Sequence, residues 1–162
     1  ILIDTNNFMT KTGVRTFEAA AFLRRNGADV TRVRKLFREN AAEYKAKADA
    51  VSQAEIYRNA YAISICHSEG IASPTVVGAQ AANELLDIRG VKASFVLTEY
   101  QNKLFFSARS IDEVNVQVIM ERMGGGGHLN IAGCQLENTS VEEGIIVLKR
   151  TLDKMIEEGE IS

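Results

Sequence analysis

The chain has 162 residues, of which 46% are hydrophobic and 25% are charged, and its formal net charge at pH 7 is −2. This size suits one sizeable core, or one domain with part of a second, and the small net charge gives no sign of a generally basic surface for nucleic acid. Residues 1–50 contain ten Lys/Arg against six Asp/Glu, an imbalance that an ordinary solvated surface explains as well as a partner does.

The two cysteines, Cys66 and Cys134, lie far apart in apolar surroundings, and no Cys/His cluster indicates a zinc site. We therefore expect two buried free thiols and a reducing, cytoplasmic setting. No apolar run is long enough to span a membrane. The chain begins with three apolar residues and Asp4, like the end of a buried strand, so we expect it to be part of a longer protein.

The first part of the chain predicts helices after a polar loop. Thr16 is expected to cap a helix that Gly27 ends, with an apolar stripe facing inward, and Thr31 is expected to begin a shorter helix. Asn40 is expected to cap a longer, more polar helix that reaches about residue 59. We place a domain boundary within this third helix. The residues predicted to face inward in the first helix are Phe17, Ala20, Ala21 and Leu23.

Residues 60–162 alternate between strand and helix patterns. Strands are predicted at 60–67, 91–99, 103–110 and 133–137, with a tight hairpin at 101–102. Helices are predicted to begin after Ser73, Asp112 and Ser140, the last with a core-facing apolar stripe. This order predicts an α/β fold in which helices flank a mixed β-sheet. The stripe of the last helix consists of Val141, Ile145, Leu148, Leu152 and Ile156.

Residues 124–127 are four consecutive glycines, and His128 follows them directly. Successive glycine amides can converge on one anion, and a histidine can donate to phosphate or move a proton. The run is neither a Walker A loop nor a dinucleotide-binding fingerprint, because the flanking pattern differs from both. On these residues alone, a phosphate cradle and a plain flexible connection are about equally expected, and His128 favours the cradle.

Ser107 and Arg109 alternate with Ala108 on one predicted strand and therefore share a face of the sheet. Together they can clamp a phosphate or a base, although an ordinary polar sheet edge has the same pattern. Asp4 follows the apolar stub, where α/β folds place ligand and metal groups, or it is a simple turn residue. A single carboxylate does not make a two-metal site.

Several segments resemble the DHH phosphodiesterase superfamily. The glycine run with His128, followed by Ala132 and Gly133, resembles the DHH-associated domain, and residues 107–110 match that domain's Ser-x-Arg-Ser pattern. Residues 4–8, 13–20, 22–24 and 27–29 resemble the GdpP/YybT-type cyclic-di-AMP phosphodiesterases. The resemblance covers essentially the whole chain and favours this subgroup over short-RNA and pAp phosphatases.

The resemblance implies a domain organisation and a reaction. Residues 1–40 would be the C-terminal remnant of the catalytic DHH domain, 41–59 a linker helix, and 60–162 the DHH-associated substrate-binding domain. The family uses two manganese ions to hydrolyse cyclic di-AMP to linear pApA, in a membrane-anchored protein whose DHH domains are cytoplasmic. Asp4 matches a manganese ligand of the family. The residues that match its substrate-holding face are Ser107, Arg109, Gly125, Gly126, Gly127 and His128.

The DHH triplet and the other metal motifs of the family are absent from these 162 residues. We therefore expect the chain alone neither to retain manganese nor to hydrolyse a substrate. The expected partners are a cyclic dinucleotide, the rest of the DHH domain and a second copy in a homodimer, without a stable nucleic-acid complex. The alternatives are an enzyme acting on short oligoribonucleotides or pAp, a non-catalytic nucleic-acid-binding module like the one that ends alanyl-tRNA synthetases, and a purely structural domain.

Overall fold

Six helices and six strands follow one another along residues 1–162 of the computed structural model, in two units, Ile1–Glu39 and Asn40–Ser162. None of the helices combines the length and the apolar character needed to cross a bilayer. The first unit contains α1 (Val14–Arg25) and α2 (Val30–Leu36). The second contains α3 (Ala41–Ser52), β1 (Glu55–Tyr57), β2 (Tyr61–Cys66), α4 (Pro74–Leu85), β3 (Ala93–Tyr100), β4 (Lys103–Ser110), α5 (Val116–Arg122), β5 (Gly126–His128), β6 (Ile131–Glu137) and α6 (Val141–Glu157).

The residues before α1 form turns, so the prediction that they end a strand was wrong. The Thr5 amide and hydroxyl donate to the Ile1 carbonyl at 3.1 and 2.9 Å, and the Asn7 amide donates to Leu2 at 2.9 Å. A strand needs a neighbouring strand to satisfy its backbone, whereas this segment satisfies its own through these turns. Asp4 lies within the turns, and its side chain is 86% exposed.

The two helices of the first unit begin earlier than predicted. Gly13, not Thr16, is the N-cap of α1, and the Thr16 hydroxyl accepts a hydrogen bond from the Gly13 amide at 3.3 Å. Asp29, not Thr31, caps α2, because its carboxylate accepts from the Thr31 amide at 2.9 Å. A polar side chain at the third helical position also hydrogen-bonds to the N-cap residue. From sequence alone, such a residue can therefore be mistaken for the N-cap itself. Gly27 ends α1 as predicted, with φ +97°.

The apolar stripe of α1 was predicted to face inward, but it packs against no core within the first unit. No residue of α1 or α2 is buried. Phe17 is 56% exposed and stacks on Phe8 with 5.4 Å between the ring centroids. Leu23 is 48% exposed. The amphipathic pattern was read correctly as a helix, but the inward assignment of these side chains was wrong.

The second unit is built on one six-stranded sheet with the order β1-β2-β3-β4-β6-β5. Strands β2 and β3 are parallel and α4 connects them, whereas every other neighbouring pair is antiparallel. A mixed sheet with helices on both faces confirms the predicted α/β fold class.

Two hydrophobic clusters lie on opposite faces of this sheet. The larger joins α5 and α6 to strands β2, β3, β4 and β6. The smaller joins α3 and α4 to β2 and β3, and no buried residue of β4, β6 or β5 belongs to it. The corresponding face of β6 and β5 therefore lacks an apolar cover, whereas α4 also contacts β4. The buried residues of the smaller cluster are Ala50, Ala62, Cys66, Val77, Ala81, Ala82, Leu85, Val91 and Val96.

The predicted helix at 41–59 is shorter than expected. Asn40 caps it as predicted, accepting from the Glu43 amide at 2.9 Å, but α3 ends at Ser52. The next residues form the edge strand β1, and Arg58 and Asn59 turn the chain into β2 with φ of +51° and +57°. Three residues are too few to show an alternating pattern, which is why the sequence did not reveal β1.

Helix α5 also begins later than predicted. Its N-cap is Asn115, whose side chain accepts from the Gln117 amide at 3.0 Å. Asp112 has φ +56°, which is incompatible with the extended backbone of an N-cap residue. The other predicted starts are confirmed, since Ser140 forms a capping box with Glu143 and Pro74 is the first residue of α4.

Both cysteines are buried free thiols, as predicted. Cys134 lies on β6 in the larger cluster and Cys66 on β2 in the smaller one. Burial raises the pKa of the Cys66 thiol, and it raises the pKa of the Cys134 thiol to about 12. The thiolate is disfavoured inside the fold because it loses the solvation that water gives it.

We expect the free energy of unfolding to fall as the pH rises from about 8.5, the usual pKa of a cysteine in an unfolded chain, towards about 12. In this range the unfolded state releases the Cys134 proton while the folded state keeps it, so alkali favours unfolding by up to about 1.4 kcal/mol per pH unit. Urea unfolding at pH 8 and pH 10.5 measures the fall. Cys134→Ala removes the titrating group, and an unchanged pH slope in that variant would contradict the assignment.

Candidate functional site

The face of β4, β6 and β5 opposite the larger hydrophobic cluster brings together most of the residues predicted to form a site. Cross-strand partners in antiparallel pairs point to the same face, so the register defines rows of side chains. One row consists of Arg109, Ile131 and His128, because Arg109 pairs with Ile131 and His128 pairs with Ile131. The first and last members of the row lie two strands apart, roughly 10 Å.

The neighbouring row consists of Ser107, Gly133 and Gly126. Two of its three members are glycines. A strip of bare backbone, called the open lane below, therefore runs from the Ser107 hydroxyl to the edge of the sheet. The row that contains the Arg109 guanidinium and the His128 imidazole lies beside this lane. The prediction that Ser107 and Arg109 share one face is confirmed, and the register adds His128 and Gly126 to that face.

Arg109 is the residue of this face with an unused hydrogen-bond donor. Its Nε atom is buried and has no hydrogen-bond partner, while one terminal nitrogen donates to the Ala108 carbonyl at 2.9 Å. Burial lowers the pKa of Arg109, and no neighbouring carboxylate offsets this effect. A half-buried cation with an unused donor is stabilised when an acceptor completes its hydrogen bonds, most of all when that acceptor is an anion.

The glycine run is neither a cradle of converging amides nor a flexible connection. Gly124 ends α5 with φ +85°, and its amide donates to Glu121 at 3.0 Å while the Gly125 amide donates to Met120 at 2.8 Å. These two bonds form a Schellman motif, which favours glycine at the first of the two positions. A Cβ on Gly125 would overlap the Gly133 carbonyl oxygen, so close backbone packing excludes a side chain there.

The last two glycines belong to the edge strand β5, which the sequence did not predict. Gly127 has φ +150°, and a Cβ there would lie 2.5 Å from the Ala132 Cα atom. Gly126 is different, since a Cβ on it would meet nothing within 4 Å. Packing therefore explains the glycine at position 127 but not the one at 126, which keeps the open lane clear.

Two further residues, one on this face and one in the adjoining turn, were not among the predicted site residues. Ile131 lies between the guanidinium and the imidazole and is 54% exposed. Asn130, in the turn between β5 and β6, bonds to Asp112 and Ser110. The strand pattern did not indicate either residue, because this strand was predicted to begin only at residue 133.

Asp4 lies in the first unit, and its nearest charged partner there is the amino group of Ile1 at 3.8 Å. No group of three or more His, Cys, Asp or Glu side chains in the structure lies close enough together to hold a metal ion. The residues of this chain therefore do not fit the manganese pair that the family resemblance implies, because one exposed carboxylate provides a single ligand.

A cavity of about 580 Å³ lies at the other end of β4, near the β3–β4 hairpin and the start of α6. Its lining includes His67 and three carboxylates, those of Glu69, Glu99 and Glu142. The three carboxylates make it unsuited to a phosphate. None of the residues predicted for the substrate lines this cavity.

Comparison with known proteins identifies relatives over the whole chain. The DHHA1 domain family matches residues 59–158. The chain is 44% identical over 144 residues to the cyclic-di-AMP phosphodiesterase PdeA of Listeria monocytogenes, which covers 88% of this chain and 22% of that protein. It is 41% identical over 160 residues to the cyclic-di-AMP phosphodiesterase GdpP of Geobacillus thermodenitrificans, with 98% and 24% covered.

The fold also matches a solved structure, an exopolyphosphatase-related protein from Bacteroides fragilis, with a TM-score of 0.83 at 21% identity. The match covers 95% of this chain and 47% of that one, and it shows a shared fold. The chain spans less than a quarter of the length of the two curated relatives. These matches confirm the resemblance inferred from the glycine run and the N-terminal segments.

The neighbouring glycines 125 and 126 provide a matched test of the site's construction. We expect Gly125→Ala to destabilise the chain by about 1–3 kcal/mol, since the methyl group would overlap backbone atoms of β6. Gly126→Ala should change the free energy of unfolding by less than about 0.5 kcal/mol, because its methyl group would point into open space. Urea unfolding of both variants measures the difference, and equal destabilisation would contradict the proposed register of β5.

Proposed function

Because the chain belongs to the DHHA1 domain family and is similar to cyclic-di-AMP phosphodiesterases over 88–98% of its length, we propose that it is the substrate-holding part of such an enzyme. The proposed reaction of the whole enzyme is manganese-dependent hydrolysis of cyclic di-AMP to linear pApA. The observation that carries this proposal is the half-buried side chain of Arg109 on this face of the sheet, whose buried Nε has no hydrogen-bond partner.

A phosphodiester suits this face chemically. The planar guanidinium of Arg109 binds phosphate oxygens in a fork of two charge-assisted hydrogen bonds, and the anion offsets the cost of burying the cation. Ser107 lies two residues before Arg109 on the same face and can donate its hydroxyl to the same group. The lane over Gly126 and Gly133 lets a substrate approach the backbone closely.

His128 lies at the edge of the sheet, across Ile131 from Arg109. It is exposed, so substrate and solvent both reach its ring. The ring can donate a hydrogen bond to the negative charge that develops on the phosphoryl group, or it can transfer a proton. We assign His128 to the substrate-holding face with Ser107, Arg109 and Gly126. Gly125 and Gly127, also predicted for this face, contribute through close backbone packing against β6.

The chain's share of the reaction is positioning. Arg109 and Ser107 fix the phosphodiester, and fixed hydrogen-bond donors lower the barrier by orienting the reacting group and meeting its developing charge. Asp4 and its surroundings do not form a metal site in this chain. We propose that the parts of the parent enzyme outside these residues supply the other metal ligands.

The proposal extends to the setting of the parent enzyme. As the family resemblance implies, we propose that it is anchored in the cell membrane with these residues on the cytoplasmic side, and that it forms a homodimer. Cell fractionation and cross-linking of the full-length protein test these two points. Recovery of the full-length protein in the soluble fraction would contradict the anchor.

We expect Arg109→Ala in the full-length enzyme to lower kcat/KM for cyclic di-AMP by about 10²-fold, because the phosphodiester loses its charged donor. Arg109→Lys should recover part of this loss, since an ammonium keeps the charge but not the fork geometry. Lys103→Ala is the matched control. Lys103 lies on the same strand and the same face, six residues away, and it pairs with Glu137 at 3.2 Å.

The substrate assay also separates the alternatives. Faster hydrolysis of short oligoribonucleotides or pAp than of cyclic di-AMP would replace the proposed substrate. Tight, salt-sensitive tRNA binding without hydrolysis would identify a nucleic-acid-binding module. Unchanged kcat/KM in both Arg109→Ala and His128→Ala would indicate a structural domain.

We expect the 162-residue chain alone to bind Mn²⁺ only weakly and to show no metal-dependent hydrolysis of cyclic di-AMP, because a single exposed carboxylate cannot hold two ions. Calorimetric titration with Mn²⁺, alongside the same titration of the full-length enzyme, measures the difference. Metal-dependent turnover by the chain alone would contradict the assignment of the metal site to other parts of the enzyme.

A further inference from the structure

The turn that joins β5 to β6 is unusual for its length. Only Leu129 and Asn130 separate the paired residues His128 and Ile131, and neither turn residue has a positive φ. Two-residue hairpins favour turns with positive φ at the first residue or at both, because these match the right-handed twist of the strands. The hairpin between β3 and β4 follows that rule, with φ of +50° and +59° at its two turn residues.

Contacts from outside the hairpin hold this less favoured turn in place. The Ser110 amide donates to the Asn130 carbonyl at 3.1 Å, and the Val116 amide donates to the Leu129 carbonyl at 3.0 Å. The Ser110 hydroxyl lies 3.4 Å from the Leu129 carbonyl oxygen and 3.2 Å from Asn130 Oδ1. The turn is therefore fixed to the end of β4, one residue beyond Arg109.

The Asn130 side chain forms the centre of this attachment. Its Nδ2 donates to Asp112 Oδ1 at 2.6 Å, and its Oδ1 accepts from the Asp112 amide at 3.2 Å. The amide group thus joins the turn to Asp112 through both its donor and its acceptor. One of the two bonds involves a carboxylate, and such charge-assisted bonds are about twice as strong as neutral ones.

We infer that Asn130 and Asp112 are a positioning pair that holds His128 and Ile131 in register with Arg109. Both site residues flank the turn directly, so a turn that relaxes would displace the imidazole relative to the guanidinium on β4. Arg109 itself would stay in place, because β4 is paired on both sides. This inference rests on the proposed function, in which the two groups act on one phosphodiester.

The test is a double-mutant cycle in the full-length enzyme with cyclic di-AMP as substrate. Asn130→Asp brings two carboxylates together, so we expect the turn to separate from Asp112 and kcat to fall about tenfold or more. Asp112→Asn keeps an acceptor for Asn130 and should stay close to the wild type. The double variant Asn130→Asp with Asp112→Asn exchanges donor and acceptor, and we expect it to restore kcat to within about threefold.

Asn102→Asp, the same chemical change in the β3–β4 turn at the other end of β4, is the matched control and should leave kcat unchanged. If Asn130 has only a structural role, Asn130→Asp lowers the melting temperature but leaves kcat unchanged at temperatures where the variant is folded. An unchanged kcat in Asn130→Asp would overturn the inference. A loss in kcat that the double variant does not repair would also overturn it.

A second measurement uses the 162-residue chain and needs no activity. We expect the NMR amide shifts of His128 and Ile131 to change in Asn130→Asp and to return in the double variant, while those of β2 and β3 stay constant. Shifts that do not return would overturn the positioning pair. If the wild-type enzyme does not hydrolyse cyclic di-AMP, the proposed function fails, and these shifts still decide whether the pair holds the turn.

Discussion

The half-buried positive charge of Arg109, without a carboxylate beside it, is the constraint on which this face of the sheet depends. A fold that takes an arginine out of water usually pairs it with an acid. Even the exposed Arg58 of this unit has such a partner, Asp153 at 2.9 Å. Arg109 has no such partner, and its Nε remains unsatisfied. The rest of the face is consistent with this constraint, because no buried residue of β6 or β5 packs with α3 and α4 and this end of the face has no apolar cover.

The glycine run connects the larger core to this open face. Its first half ends α5, which packs on the core side of the sheet, and its second half becomes the outermost strand. Backbone therefore takes the place of side chains between the helix and β6. This close approach brings His128 to the edge of the sheet, in line with the guanidinium two strands away. The site is thus assembled by backbone packing and strand register more than by side-chain contacts around it.

Much of the fold could be predicted from the sequence because its signals are local. The alternation of β4, the turn at 101–102 and the capping box at Ser140 each depend on neighbouring residues, and the shared face of Ser107 and Arg109 follows from the alternation. The three-residue strands β1 and β5 could not be predicted, because their pairing with longer strands defines them. The exposed stripe of α1 and the turns around Asp4 were misjudged for the same reason, since burial and strand pairing depend on neighbours that a local pattern does not reveal.

The four adjacent glycines have four different reasons for being glycine. One ends a helix, one lies against a neighbouring backbone, one leaves a lane open, and one adopts a backbone conformation that other residues avoid. Backbone geometry or packing accounts for three of them, whereas a Cβ on Gly126 would meet nothing within 4 Å. A sequence that keeps this fold can therefore accept a side chain at position 126 without moving its backbone, and that side chain would stand in the open lane beside Ser107.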